Sequence, residues 1–335
     1  MDLPGARGAL SAAVISTLTS AGGTPAAAVE VAGHAIRRSP DVLLDDDVQL
    51  ALFVLDELFY RGFSDVADEW EWDPGVLAVR AVLEEAFESA LRERVVVPGG
   101  IRAERGAIAD ALFAMTAPGP GPSVARHVAK RATLEQLREF LIHRSVYQLK
   151  EADPHTWAIP RLEGRAKAAL VEIQADEYGG GAPDRMHAEL FARTMRGAGL
   201  DSRYGAYVEQ VPAVTLAAVN VMSLFGLHRR WRGAVAGHLA AFEMTSSMPN
   251  RLYGDGFRRH GFGADTTWYF DEHVEADAVH EQIAGRELAG GLAEQEPELA
   301  PDILFGAASG LLLDDLVACH VLPAWESGRT SLRVP

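Results

Sequence analysis

The chain has 335 residues, 48% of them hydrophobic, which is enough for one large domain or two smaller ones with a sizeable core. A formal charge of −16 and dispersed basic residues argue against nucleic acid or anionic membrane as partners, and suit a cation site as well as plain solubility. The single cysteine, Cys319, excludes an internal disulfide and any zinc site of Cys/His spacing, and fits the cytoplasm.

No apolar run reaches the roughly 20 uninterrupted residues of a membrane span, because Gly, Pro, Arg or acidic residues break each one. Residues 9–21 have one Arg before them, an Asp at position 2 and Ser or Thr throughout, and read as an amphipathic helix and not a secretory signal. Strand signals are sparse, and Val95 to Val97 is too short to support a sheet, so the fold is expected to be all-α.

Helices are predicted over about 45–60 and 73–94, the second with Pro74 at a favourable early position. The Pro- and Gly-rich stretch 117–122 breaks any helix and divides an N-terminal helical segment, 1–118, from a second domain, 123–335. Thr133 and Gln136 form a capping box for a helix that Asp153-Pro154 is expected to stop. A helix follows over about 161–178, with Leu162, Ala166, Leu170, Ile173 and Glu177 along one stripe, until three glycines at 179–181 interrupt it. Another resumes at Asp184, a long pair covers about 212–250, Asp265 caps the next, and the last runs over about 301–321.

The chemistry centres on His273, Asp277 and His280. At about 100° per residue, Asp277 lies roughly 40° from His273 and His280 about 20° to the other side, so all three share one helical face. Two imidazoles and a carboxylate suit Fe(II), Mn(II) or Zn(II), of which the first two manage O2. Upstream, Glu151 stands in register with His143 and Tyr147, and Glu177 ends an apolar stripe where a buried carboxylate needs a partner or a cation. His187, ten residues later, would lie some 15 Å along a straight helix. A bend at the glycines would bring it back to Glu177. Asp184, three residues before His187, is an alternative to Glu177. Glu243 is a further carboxylate candidate or an ordinary buried acid, and Tyr147 either orients Glu151 or is a core aromatic.

With these positions, Glu151, Glu177, His187, His273, Asp277 and His280, the sequence resembles the haem-oxygenase-like di-iron oxidases, or iron-containing redox enzymes, over about residues 123–325. The segment before it, with Phe59-Tyr60-Arg61-Gly62-Phe63, resembles the extra helices of longer members, with no chemistry assigned. The resemblance implies a seven-helix haem-oxygenase-like bundle. It further implies one iron on Glu151, Glu177 and His280 or a similar subset, and another on His187, His273 and Asp277, with Glu177 a candidate bridge. The implied activity is O2 activation through a peroxo di-ferric intermediate to oxidise a small amino-acid-, amine- or fatty-acid-like substrate, with O2 as co-substrate and manganese as an alternative metal. The electron donor is open, and a homodimer through the N-terminal helices is expected by analogy. Two rival readings are a cofactorless oxidase or thiaminase-like enzyme of the same fold, and a non-catalytic helical binding protein.

Overall fold

A computed structural model describes residues 1–19, 21–119, 121 and 123–333, with Ala278 described in its backbone only, and among the described residues there is no strand. The first part contains α1 (Ala9–Leu18), α2 (Pro25–Arg38), α3 (Asp46–Glu57), α4 (Pro74–Arg94) and α5 (Arg105–Met115). Then come α6 (Val124–Lys130), α7 (Leu134–Gln148), the single-turn α8 (Asp153–Thr156), α9 (Gly164–Glu177), α10 (His187–Gly197), α11 (Ala213–Leu227), α12 (Arg232–Met244) and α13 (Ser247–Arg259). The chain closes with α14 (Ala264–Gln282), a π-helical segment (Ile283–Ala289), α15 (Gly290–Gln295) and α16 (Ala300–Glu326). Of the expected boundary at 117–122, Pro120 and Pro122 lie outside the described residues.

Side-chain caps start the helices where short polar residues precede apolar runs. Asp45 accepts from the amides of Asp47 and Val48, and Asp73 from those of Gly75 and Val76 with Pro74 in the first turn. Thr133 and Gln136 cap each other's backbone. Elsewhere the boundaries differ from expectation. Asp153-Pro154 opens a new turn, α8, because Pro is tolerated at a first helical position. The pair expected over 212–250 is three helices, the third continuing to Arg259. Gly263, and not Asp265, precedes α14, and α16 runs on through Pro323.

By length and composition α16 could cross a membrane, against the expectation that no segment would, but half of its most apolar window is buried inside this structure. It packs on α11 and α12. At the α12 crossing, a Cβ on Gly237 would collide with the Ile303 carbonyl and one on Gly306 with the Ala234 carbonyl, so the two backbones touch through glycine.

The first five helices share an apolar core with the later ones. Leu10, Leu50, Phe53 and Phe87 belong to the same buried cluster as Leu216, Phe225 and Ile303. Every residue of α3 from Val48 to Glu57 is buried, and Asn220 on α11 donates to both the carbonyl and the side-chain oxygen of Gln49 at 2.9 Å. A second cluster gathers α6, α7, α10, α13 and α14 around Leu141, Phe191, Phe257 and Phe270.

His143 on α7 is buried, with Nδ1 2.8 Å from the Thr215 hydroxyl and Nε2 3.0 Å from that of Ser331. Burial pushes it down to about 3. A histidine with a folded value below its unfolded value of roughly 6.5 contributes its full stability above pH 6.5 and loses it as pH falls towards the folded value. His143→Gln should therefore flatten the decline in the urea midpoint between pH 6.5 and 4 relative to the parent protein. Identical declines would remove His143 as a source of acid sensitivity.

Candidate metal centre

The first ligand candidate, Glu151, sits just after α7 in a reversal that the rest of the molecule holds in place. Ala152 has φ +75°, the one positive value at a non-glycine position among the described residues, a conformation that costs about 1–3 kcal/mol. Gln174 on α9 donates to the Ala152 carbonyl at 3.0 Å. Lys150 is buried, its ammonium 3.0 Å from Glu57 with side-chain exposures of 2% and 0%, and lies over the Tyr60 ring. Arg61 donates to the Leu149 carbonyl at 3.1 Å, and Tyr204 to Glu57 at 2.6 Å. The motif 59–63, to which the sequence assigned no chemistry, is thus part of the clamp on the turn that presents Glu151.

Glu177 ends α9 and His187 begins α10. Between them the chain does not merely bend but leaves the helix, with Gly179, Gly180 and Gly181 at φ +66°, +61° and +86°. A Cβ at Gly179 would stand 2.6 Å from the Arg185 carbonyl carbon, so the close reversal there needs glycine. It brings His187 Nδ1 to 3.0 Å from Glu177 Oε2. Neither atom has a hydrogen-bond partner of good geometry, so two polar groups face each other in the core unsatisfied.

On α14, His273 donates from Nδ1 to the Tyr269 carbonyl at 2.8 Å, which leaves Nε2 free and 3.6 Å from Glu151 Oε1. Tyr269 also donates its hydroxyl to Glu151 Oε1 at 2.8 Å. His280 donates from Nε2 to Asp176 at 3.0 Å and directs Nδ1 towards Glu243 at 3.5 Å and Asp277 at 3.9 Å. Asp277 is 1% exposed.

Two groups of donors result, each with one atom per residue lying within 4.8 Å of the others: Glu151, Glu177, His187 and His273, and Glu177, Glu243 and His280. That spread is about twice a metal–ligand bond of roughly 2.0–2.2 Å. Glu151 Oε2, Glu177 Oε2, His187 Nδ1, Asp277 Oδ2 and His280 Nδ1 are buried without a hydrogen-bond partner. Leaving such atoms unpaired is costly, and positive charge placed among them offsets that cost.

The electrostatics point the same way. Burial alone favours neutral imidazoles, yet Glu243 and Asp176 hold His280 up at about 9, and His273 and His187 are also raised, by Glu151 and Glu177. Burial alone would raise Glu177, but the charges of His187, His273 and His280 outweigh it and hold the carboxyl low. Glu243 and Asp277 are raised, first by burial and then by neighbouring carboxylates. Without a metal, protons on the imidazoles supply the positive charge that a bound cation would replace.

The structure therefore brings together all six residues picked from the sequence, but groups them differently. His280 lies with Glu243 and Asp277, and His273 and His187 lie with Glu151, because the glycine segment sets His187, at the start of α10, beside Glu177, at the end of α9, and α10 packs on α14. Glu243, an alternative in the sequence, stands inside the cluster. Asp184 does not: it is exposed in the turn before α10, where the spacing argument for a continuous helix fails. Tyr147 is buried and lines the cavity beside the cluster, as does Phe242, whereas Met222, Phe225 and Trp231 are core. Asp176 and Tyr269 were missed. Asp176 carries one usable signal, a carboxylate directly before a ligand candidate.

Fold and site together define an all-α protein with a buried histidine and carboxylate cluster that suits iron. Residues 138–315, about half of the chain, match the model of the iron-containing redox enzymes, and the chain belongs to that family with its haem-oxygenase-like fold. A nitrosourea synthase of Streptomyces achromogenes subsp. streptozoticus is 28% identical over 172 residues, which make up 50% of this chain and 36% of that protein. The chain thus spans about a third of the length of this curated relative.

Glu57→Gln should leave Lys150 buried without a counter-charge, costing about 3–5 kcal/mol of stability. It should also lower iron affinity by disordering the Glu151 turn. Paired urea melts and iron titrations check this, and unchanged values in both would dismiss the clamp.

Proposed function

We propose that the cluster holds two iron ions sharing Glu177, and that the protein is an oxidase or oxygenase that uses O2 to oxidise a small organic substrate. The observation that carries this reading is the position of Glu177 in both of two separate donor groups, each with unpaired buried donor atoms. Asp277 joins Glu243 and His280 as the second ion's ligands, with manganese the runner-up metal. Bound as Fe(II), the pair would supply electrons for the reduction of O2.

The side chains around the ions prepare that chemistry. Tyr269 fixes the orientation of Glu151, and the Asp176 carboxylate fixes the His280 ring and increases its basicity as a ligand. The inner cavity, about 110 Å³, opens onto Glu151, Glu177, Glu243, His273 and Asp277. In its wall His155, held 3.1 Å from His238, leaves Nδ1 without a partner. Burial keeps both rings neutral, so His155 is placed to exchange a hydrogen bond with substrate or water. The relative's name, nitrosourea synthase, favours nitrogen-bearing compounds among the amino-acid-, amine- and fatty-acid-like candidates.

Anaerobic Fe(II) titration followed by O2 addition tests the proposal. The parent protein should take up two equivalents and show a transient visible absorption, while Glu177→Ala and His273→Ala should lose at least about tenfold in iron affinity and the transient with it. Full iron uptake and an unchanged transient in both variants would refute it. A screen of amino acids, amines and fatty acids for substrate-triggered O2 consumption then narrows the substrate.

A further inference from the structure

The inner cavity adjoins a larger outer one of about 630 Å³, and Phe140, Arg144, Thr245, Pro249, Tyr253 and Asp314 line both. These residues form the neck between solvent and the metal cluster. Arg144 is the one Lys or Arg side chain in the described wall of the inner cavity. It is half-buried, neighbours Tyr253 and feels the exposed Asp314, yet among the described residues no carboxylate comes within ion-pair distance, 4.0 Å, of its guanidinium. Arg126, in the outer cavity, already donates to the Gly121 carbonyl.

An unpaired cation in a cavity wall is costly unless a ligand completes it. The charge balance makes the same point, and here the argument rests on the two-iron reading. The carboxylates of Glu151, Glu177, Glu243 and Asp277 offset two divalent ions, leaving in the wall Arg144 and the exposed carboxylate of Asp314, which stays beyond ion-pair distance and leaves the guanidinium fork open to a ligand. A single guanidinium fork pairs with one carboxylate through two parallel hydrogen bonds and balances its one charge, whereas a doubly charged phosphate would leave a negative charge over.

We propose that Arg144 is the specificity-determining anchor for a substrate carboxylate at this neck. Arg144 stands one helical turn, about 6 Å along the axis, before Gln148, and Glu151 lies beyond that in the terminal reversal of α7. A molecule anchored there reaches the metals with an atom several bonds away from its carboxylate. The substrate is an elongated carboxylic acid oxidised at its far end, and Arg144 is a binding residue that takes no part in the oxidation.

The test is calorimetric titration of hexanoate and of hexanamide, its neutral counterpart of the same shape, into metal-free and anaerobically Fe(II)-loaded protein. Hexanoate should bind the parent protein about 10- to 100-fold more tightly than hexanamide, the range of a charge-assisted pair. Arg144→Gln should abolish the preference and Arg144→Lys retain part of it, with iron uptake unchanged in both. Equal binding of acid and amide by the parent protein, absence of saturable hexanoate binding, or an undiminished preference in Arg144→Gln would overturn the proposal. So would inorganic phosphate displacing hexanoate at equal concentration. The comparison of acid with amide uses the parent protein and stands even where a variant fails to fold. Failure of iron loading bears on the two-iron reading, whereas failure of the acid preference in protein that has taken up its iron bears on Arg144 alone.

Discussion

Four carboxylates and three imidazoles buried against one another set the constraint under which the rest of this chain is arranged. Each carboxylate taken out of water is costly unless positive charge or hydrogen bonds replace the lost solvent, and here the hydrogen bonds fall short. The groups stay together because α7, α9, α10, α12 and α14 are locked by a core that packs on both sides of them. That core stabilises the fold, and the fold in turn holds the cluster in an arrangement that only added cations, as protons or as metal, complete.

The first five helices take part in this although none of their residues belongs to the cluster. The buried pair of Glu57 and Lys150, with Tyr60, Arg61 and Tyr204 around it, reaches from α3 to the residue beside Glu151. A buried ion pair is weak support for stability in general. Here it coincides with a strained residue, Ala152, and with a candidate ligand, Glu151, in the same turn, so its role is one of position. The segment is thus coupled to the site through the backbone reversal it holds.

Much of this was legible in the sequence where the signal is local. Period-3.6 patterns and short polar caps marked most helices, and the spacing of His273, Asp277 and His280 placed them on one face because α14 is continuous there. The bend at residues 179–181 could be required but not drawn, since three glycines permit many paths and only tertiary packing selects one. That choice decides which ligands face each other, and it is why the division between the two donor groups came out differently. It also removes Asp184, whose argument assumed an unbroken helix. Asp176 escaped notice because it is largely exposed and is tied to the site by one hydrogen bond to His280. The Glu57–Lys150 pair spans 93 residues and has no local signature at all. The unpaired state of Arg144 likewise shows only once its neighbours are known.

The central claim is that this cluster binds two irons around Glu177. Crystals soaked anaerobically in Fe(II) and measured on both sides of the iron absorption edge test it most directly. The account predicts two anomalous peaks, one among Glu151, Glu177, His187 and His273 and one among Glu177, Glu243, Asp277 and His280. No peak in the cluster, or iron bound elsewhere on the chain while the cluster stays empty, would contradict it.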